Sequence, residues 1–269
     1  MRETTEPHPT VEAEPVAADD LGCCDGDNQL WLQCWRERRT DFHQSQVNPL
    51  LSRFWPSLKL AHGSRVFVPL CGKSLDMIWL AQQGHEVLGV ELSPVAVEDF
   101  FRENGLQPVK RQAGQFTLWS HGKLSILCGN YFALNADDIG IFDTVYDRAA
   151  LTALPENVRG LYVAQLGRLM PKSARVFLLT IEDAAEDATL SQAAGVDEEI
   201  ARLYTAAFEI DLAYVESVFE SDPESPDAMR RAEYKVYRLS DKTDSRCLAY
   251  KAGFPHEMPH EISGLEVPL

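Results

Sequence analysis

The sequence has no CxxC pair, no apolar run of membrane-spanning length, no internal repeat and no glycine triplet of the dinucleotide-binding kind. Each absence removes a class. Cys23, Cys24, Cys34, Cys71, Cys128 and Cys247 are irregularly spaced, which argues against a disulfide framework or a structural zinc site, so no metal is expected. Without a spanning run there is no transmembrane helix to expect. The opening stretch MRETTEPHPTVEAEPVAADD lacks the apolar core of a secretion signal, so the expected location is cytoplasmic. Basic residues are few: 25 Lys and Arg face 41 Asp and Glu, a net charge of −16. Such a surface repels phosphate backbones and anionic lipid, so neither nucleic acid nor membrane is an expected partner.

What is present suits one globular domain. The 269 residues are 45% hydrophobic and 25% charged, enough for a good core with tails to spare. Residues 1–27 are rich in Glu, Asp, Pro and Ala and read as a disordered acidic tail. Residues 241–269 show little periodicity and read as a second tail. The domain is expected over 28–240, with its first helices at 28–60. There Trp31 and Trp35 share a helix face, and Asn48-Pro49 starts another helix.

The chain is organised around Arg65–Glu91. Arg65–Pro69 has the apolar run of a buried parallel strand. Leu70-Cys71-Gly72-Lys73 is a turn in which Gly72 permits the bend. Ser74 is placed to cap a helix that Gly84 ends, and Glu86–Glu91 is a second strand finishing on an acid. Glu91 lies 21 residues beyond Leu70, the position from which an acid holds a ribose diol in nucleotide-binding βαβ units. A pyrophosphate needs several backbone N–H groups at close range, and the turn has one glycine, which argues against a dinucleotide oxidoreductase. Spacing alone does not separate a nucleoside site from an ordinary βαβ unit carrying a surface glutamate.

Val68-Pro69-Leu70-Cys71-Gly72-Lys73-Ser74-Leu75-Asp76-Met77, then Gly84-His85-Glu86-Val87 and Gly89-Val90-Glu91-Leu92-Ser93, resemble the thiopurine S-methyltransferase family, its bacterial members in particular. The likeness includes Trp31, Trp35, Phe42-His43-Gln44 and Val47-Asn48-Pro49 upstream, and Tyr146-Asp147-Arg148-Ala149-Ala150-Leu151 downstream. It covers about residues 29–240. The resemblance implies an α/β, Rossmann-like S-adenosylmethionine-dependent methyltransferase fold. Its sheet is expected to be mostly parallel and seven-stranded, with an antiparallel edge and helices on both faces. The implied cofactor is S-adenosyl-L-methionine and the implied partner a small-molecule thiol or other chalcogen acceptor. Relatives suggest a monomer.

The expected cofactor set is Trp31, Trp35, Leu70, Gly72, Glu91, Asn130, Tyr131 and Arg148. Of these, Trp35 and Arg148 match cofactor contacts of the family. Phe42 matches a substrate-contacting Phe, and the aromatic N-terminal helices would form a lid that excludes water. Cys128-Gly129-Asn130-Tyr131 falls at a strand end where adenine is commonly met. Asn130 stands where bacterial relatives often carry an acid; it also reads as a turn-forming Asn. Asp147 and His43 are the candidates for assisting deprotonation.

Further strands are expected at Phe116–Trp119 and Leu124–Cys128 as a hairpin, at Phe142–Tyr146 and Val176–Ile181, and at Phe208–Ser217 and Glu233–Leu239 as an antiparallel edge. Glu182–Val196 departs from the family. Relatives carry a Tyr-Asp pair and a Gly-Pro-Pro-Phe stretch walling the acceptor site, and neither is here. A wider or more mobile acceptor pocket is expected. The rival readings are a cofactor-binding module without turnover and a methyltransferase for oxygen, nitrogen or halide acceptors.

Overall fold

A computed structural model of the chain describes residues 25–183, 195–221 and 229–242. The expectations for residues 1–24, for most of the diverged acceptor segment, for the connection at 222–228 and for the chain beyond 242 lie outside the described residues. Helix α1 runs Asp25–Arg36, so helical backbone begins inside the stretch read as tail. Then come α2 (Pro49–Phe54), β1 (Arg65–Val68), α3 (Asp76–Gln82), β2 (Glu86–Glu91) and α4 (Pro94–Glu103). Strands β3 (Val109–Ala113), β4 (Phe116–His121) and β5 (Leu124–Cys128) follow, then α5 (Ala136–Ile139), β6 (Thr144–Arg148) and α6 (Glu156–Leu169). The rest is β7 (Arg175–Asp183), α7 (Glu198–Tyr204), β8 (Phe208–Ser221) and β9 (Met229–Asp241).

The described strands form one nine-stranded sheet in the order β3-β4-β5-β2-β1-β6-β7-β9-β8. Its centre, β5-β2-β1-β6-β7, is parallel, and both margins are antiparallel. The expected count of seven is corrected to nine. β4 joins the sheet together with β5, and β3 adds an outer strand. β3 reads VKRQA and is largely exposed, so it lacks the apolar alternation by which a strand is recognised. The antiparallel pair β8 and β9 lies at the opposite margin as expected.

Parallel strands must be covered on both faces, and two cores do this. On one face α2, α3 and α4 pack Leu51, Met77, Leu80, Phe100 and Phe101 against Val66, Val68, Tyr146 and Phe177. On the other, α6 and α7 pack Val158, Tyr162, Leu166 and Tyr204 against Phe67, Val145, Leu178 and Tyr237. The first face is called the lid face below.

The helix starts follow local chemistry. Asn48 caps α2, its Oδ1 accepting from Leu50 N at 2.9 Å, and Pro49 fills the first turn. Ser93 caps α4 by accepting from Ala96 N. α3 begins one residue later than a Ser74 cap requires, with Leu75 in the capping position; Ser74 Oγ still accepts from Asp76 N at 3.3 Å.

Candidate active site

The chain moves outward from β1 through β2 to β5, then returns to β6 on the other flank of β1. In open α/β sheets the ligand crevice opens at that reversal, beyond the carboxyl ends of the strands. Two residues there hold left-handed backbone although they are not glycine: Leu70 at φ 47° after β1, and Ala149 at φ 60° after β6. Such positions cost on the order of 1–2 kcal/mol each and persist where the surroundings over-determine them. Between them the turn continues through Gly72, also left-handed at φ 53°.

Glu91 ends β2 beneath this turn. Its Oε2 accepts from Gly72 N at 2.9 Å and its Oε1 from Ser93 N at 2.8 Å. Burial pushes the carboxyl up, and the N–H groups of Ser93 and Gly72 oppose that shift. Two backbone N–H groups occupy two of a carboxylate's roughly four acceptor sites, which leaves capacity for a diol. Beside it burial raises the Cys71 thiol well above its ordinary value and Cys128 to about 11, so both stay protonated at neutral pH.

The lid reaches this turn directly. A Cβ added to Gly72 would lie 3.2 Å from Trp35 Cζ2, so glycine lets the buried indole settle on the turn. Phe42 packs edge-on to both Trp31 and Trp35, with ring centroids 5.3 and 5.4 Å apart, and stays 44% exposed. His43 is half-buried, and burial together with Lys73 and Arg148 holds it below its ordinary value, neutral at pH 7. Lys73 itself is paired with Glu103 at 2.9 Å.

Arg148 ends β6 with its side chain only 18% exposed. Among the described residues its guanidinium makes no hydrogen bond; its ion-pair partner there is Asp76 Oδ2, 4.0 Å from Nε. A largely buried guanidinium with open N–H groups is a ready anion or carbonyl site. Asp76, for which the sequence suggested no role, is buried and accepts from Asn48 N and from the Tyr146 hydroxyl, each at 2.7 Å.

Two sequence-based expectations are corrected here, for Asp147 and Tyr131. Asp147 does not face the crevice. Successive side chains of a strand point to opposite faces, so Tyr146 and Arg148 look toward the lid and Asp147 looks away. Its Oδ2 accepts from Tyr162 Oη at 2.6 Å and its Oδ1 from Ala150 N at 3.1 Å, and burial raises it to about 6. It therefore holds the turn after β6 and does not meet an acceptor. Tyr131 is buried in the core opposite the lid face, where its hydroxyl donates to Tyr162 O. Asn130 Oδ1 already accepts from Phe132 N at 3.0 Å as the cap of the short 3-10 turn Tyr131–Ala133, which favours its turn-forming role. Trp31, Trp35, Leu70, Gly72, Glu91 and Arg148 do gather around the edge of β1, with Phe42 and His43 on the lid above.

This sheet order, with its antiparallel end and its acid beneath the first turn, is that of an S-adenosyl-L-methionine-dependent methyltransferase. The solved Burkholderia thailandensis 1,6-didemethyltoxoflavin-N1-methyltransferase shares the fold at TM-score 0.53 and 16% identity, over 86% of this chain and 94% of that one. A methyltransferase of Anabaena variabilis does so at TM-score 0.51 and 15% identity, over 80% and 95%.

Residues 26–242 match the thiopurine S-methyltransferase (TPMT) family, and the chain belongs to that family. The thiopurine S-methyltransferase of Stutzerimonas stutzeri is 68% identical over 218 residues, 81% of this chain and 92% of the relative. That of Methylococcus capsulatus is 46% identical over 199 residues, 74% and 90%. The protein is thus a methyltransferase whose cofactor is S-adenosyl-L-methionine.

Proposed function

We propose that the enzyme methylates the sulfur, or the selenium or tellurium, of a small-molecule thiol or its heavier analogue. The observation that carries this reading is the contact between lid and turn: Trp35 rests on Gly72 and is braced by Phe42. The acceptor wall and the cofactor cradle are then neighbours, and the wall is aromatic. The cofactor supplies an electrophilic methyl group on a cationic sulfonium.

The residues fit that group. Glu91 has capacity for the ribose diol, and Leu70 and Gly72 offer turn backbone beside it. The open guanidinium of Arg148 suits a carboxylate or carbonyl. Trp35 and Trp31 cover the site and exclude water, and an aromatic face suits a cation. Phe42 meets the acceptor and orients it, and held alignment removes much of the barrier to transfer.

Asp147 is turned away and closed by Tyr162, so no carboxylate from the end of β6 serves the acceptor as a base. That favours a nucleophile that ionises near neutral pH, as selenols and the more acidic thiols do, over an alcohol or amine that needs strong deprotonation. His43, neutral and on the lid, is the candidate to take a thiol proton.

The test is incubation with methyl-labelled S-adenosylmethionine and a panel of thiols, selenols, phenols and amines, read by mass. Label on thiols and selenols is expected. Label confined to phenols or amines, or no transfer despite cofactor binding, would overturn the reading.

A further inference from the structure

Asp76 joins three parts of the molecule that the sequence keeps far apart. It sits in the first turn of α3, where the helix dipole favours a negative charge, and it is 1% exposed. One carboxylate oxygen takes the backbone N–H of Asn48, the residue that caps α2 at the root of the lid. The other takes the Tyr146 hydroxyl and lies 4.0 Å from Arg148 Nε. Tyr146 and Arg148 flank Asp147 on β6 and share the lid face, so β6 presents a hydroxyl and a cation to one carboxylate.

A buried carboxylate needs polar partners, and here they come from the lid root and from the cofactor edge. Arg148 meets Asp76 through its Nε end, and among the described residues the terminal nitrogens of the fork make no hydrogen bond. A rotated or unpaired guanidinium would have no such bias, because its long stem has several rotamers of similar energy.

We propose that Asp76 is a positioning residue: its carboxylate aims Arg148 at the cofactor. The inference rests on Arg148 being a cofactor contact. Asp76 touches neither cofactor nor acceptor, and it acts through its neighbour.

The experiment is a calorimetric titration of S-adenosylmethionine into the full-length protein and into Asp76→Asn, Arg148→Ala, the double variant and Tyr146→Phe, with thermal melts alongside. Asp76→Asn keeps the volume and a carbonyl oxygen for Asn48 N but loses the charge. Its affinity is expected to fall about tenfold, the scale of one charge-assisted contact. Tyr146→Phe loosens the carboxylate without altering any charge, and about a threefold loss is expected.

The double variant is expected to bind no more weakly than Arg148→Ala alone, because a residue acting through Arg148 has nothing left to position. A merely structural aspartate would lower the melting temperature and add its loss to that of Arg148→Ala. Unchanged affinity in Asp76→Asn, or additive losses, overturns the proposal and leaves the role of Arg148 standing. Unchanged affinity in Arg148→Ala overturns the role of Arg148 and the proposal with it. Should Asp76→Asn fail to fold, Tyr146→Phe decides, and wild-type affinity there overturns the proposal.

Discussion

Asp76 and Asp147 are both buried carboxylates at the same edge of the sheet, and each accepts a backbone N–H and a tyrosine hydroxyl. They differ in the face they occupy. Asp76 is on the lid face, within 4.0 Å of a guanidinium that is open to the crevice. Asp147 is on the opposite face among Tyr131, Tyr162 and Tyr204, and among the described residues no cation offsets its burial there. One carboxylate belongs to the ligand-facing machinery and the other to the packing behind it, although Asp147 is the one that neighbours Arg148 in sequence.

Substitutions on the two faces should therefore separate binding from stability. The largest effect is expected for Arg148→Ala, which should weaken S-adenosylmethionine by about a hundredfold with little change in melting temperature, as charged contacts are worth roughly 1.5–3 kcal/mol. Calorimetry reads it, and a loss below threefold would break the comparison.

Asp147→Asn should do the reverse. Burial raises the Asp147 pKa from 3.8 to about 6. A group whose folded pKa is raised stabilises the protein below its unfolded pKa and loses that contribution as pH rises through the folded value. The wild type should thus lose stability relative to Asp147→Asn between pH 3.8 and about 6, by roughly 3 kcal/mol in all. Melts across that window check the sign, and cofactor affinity should stay within about threefold.

On the lid, Phe42→Ala removes the ring that braces Trp31 and Trp35. The acceptor KM should rise about tenfold while cofactor affinity moves little, since one aromatic ring contact is worth about 1 kcal/mol. Steady-state kinetics with the best acceptor of the panel measures the split.

The smallest effect belongs to Tyr162→Phe. The Tyr162 hydroxyl lowers the Asp147 pKa, so its loss should raise that value further and cost about 1 kcal/mol at pH 7, with kcat unchanged. A change in kcat would bring Asp147 back into the chemistry.

Much of this was legible from local pattern. The turn at Leu70–Lys73, the acid of β2, and the helix start at Asn48-Pro49 are fixed by residues within a few positions, and each is where the sequence puts it. The left-handed Leu70 was not legible, because nothing in a leucine announces positive φ. Asp76 was visible only as part of a motif, since two of its partners, Asn48 and Tyr146, lie 28 and 70 residues away.

Asp147 could have been placed better. With β6 extended through Arg148, alternation alone puts 146 and 148 together and 147 opposite. Ending the strand at Tyr146 hid this. Strand β3 escaped notice because an exposed outer strand needs no apolar alternation. The nine-residue β7 and the long β8 and β9 run beyond the apolar stretches that the sequence marks as strand.

The measurement that tests the central claim most directly is titration of S-adenosylmethionine into Glu91→Ala beside the wild type, with circular dichroism confirming the fold. Loss of a buried carboxylate that holds the ribose diol should weaken binding by at least about a hundredfold. Wild-type affinity in the folded variant would contradict the account, because the cofactor would then lie elsewhere than at the edge between β1, β2 and β6.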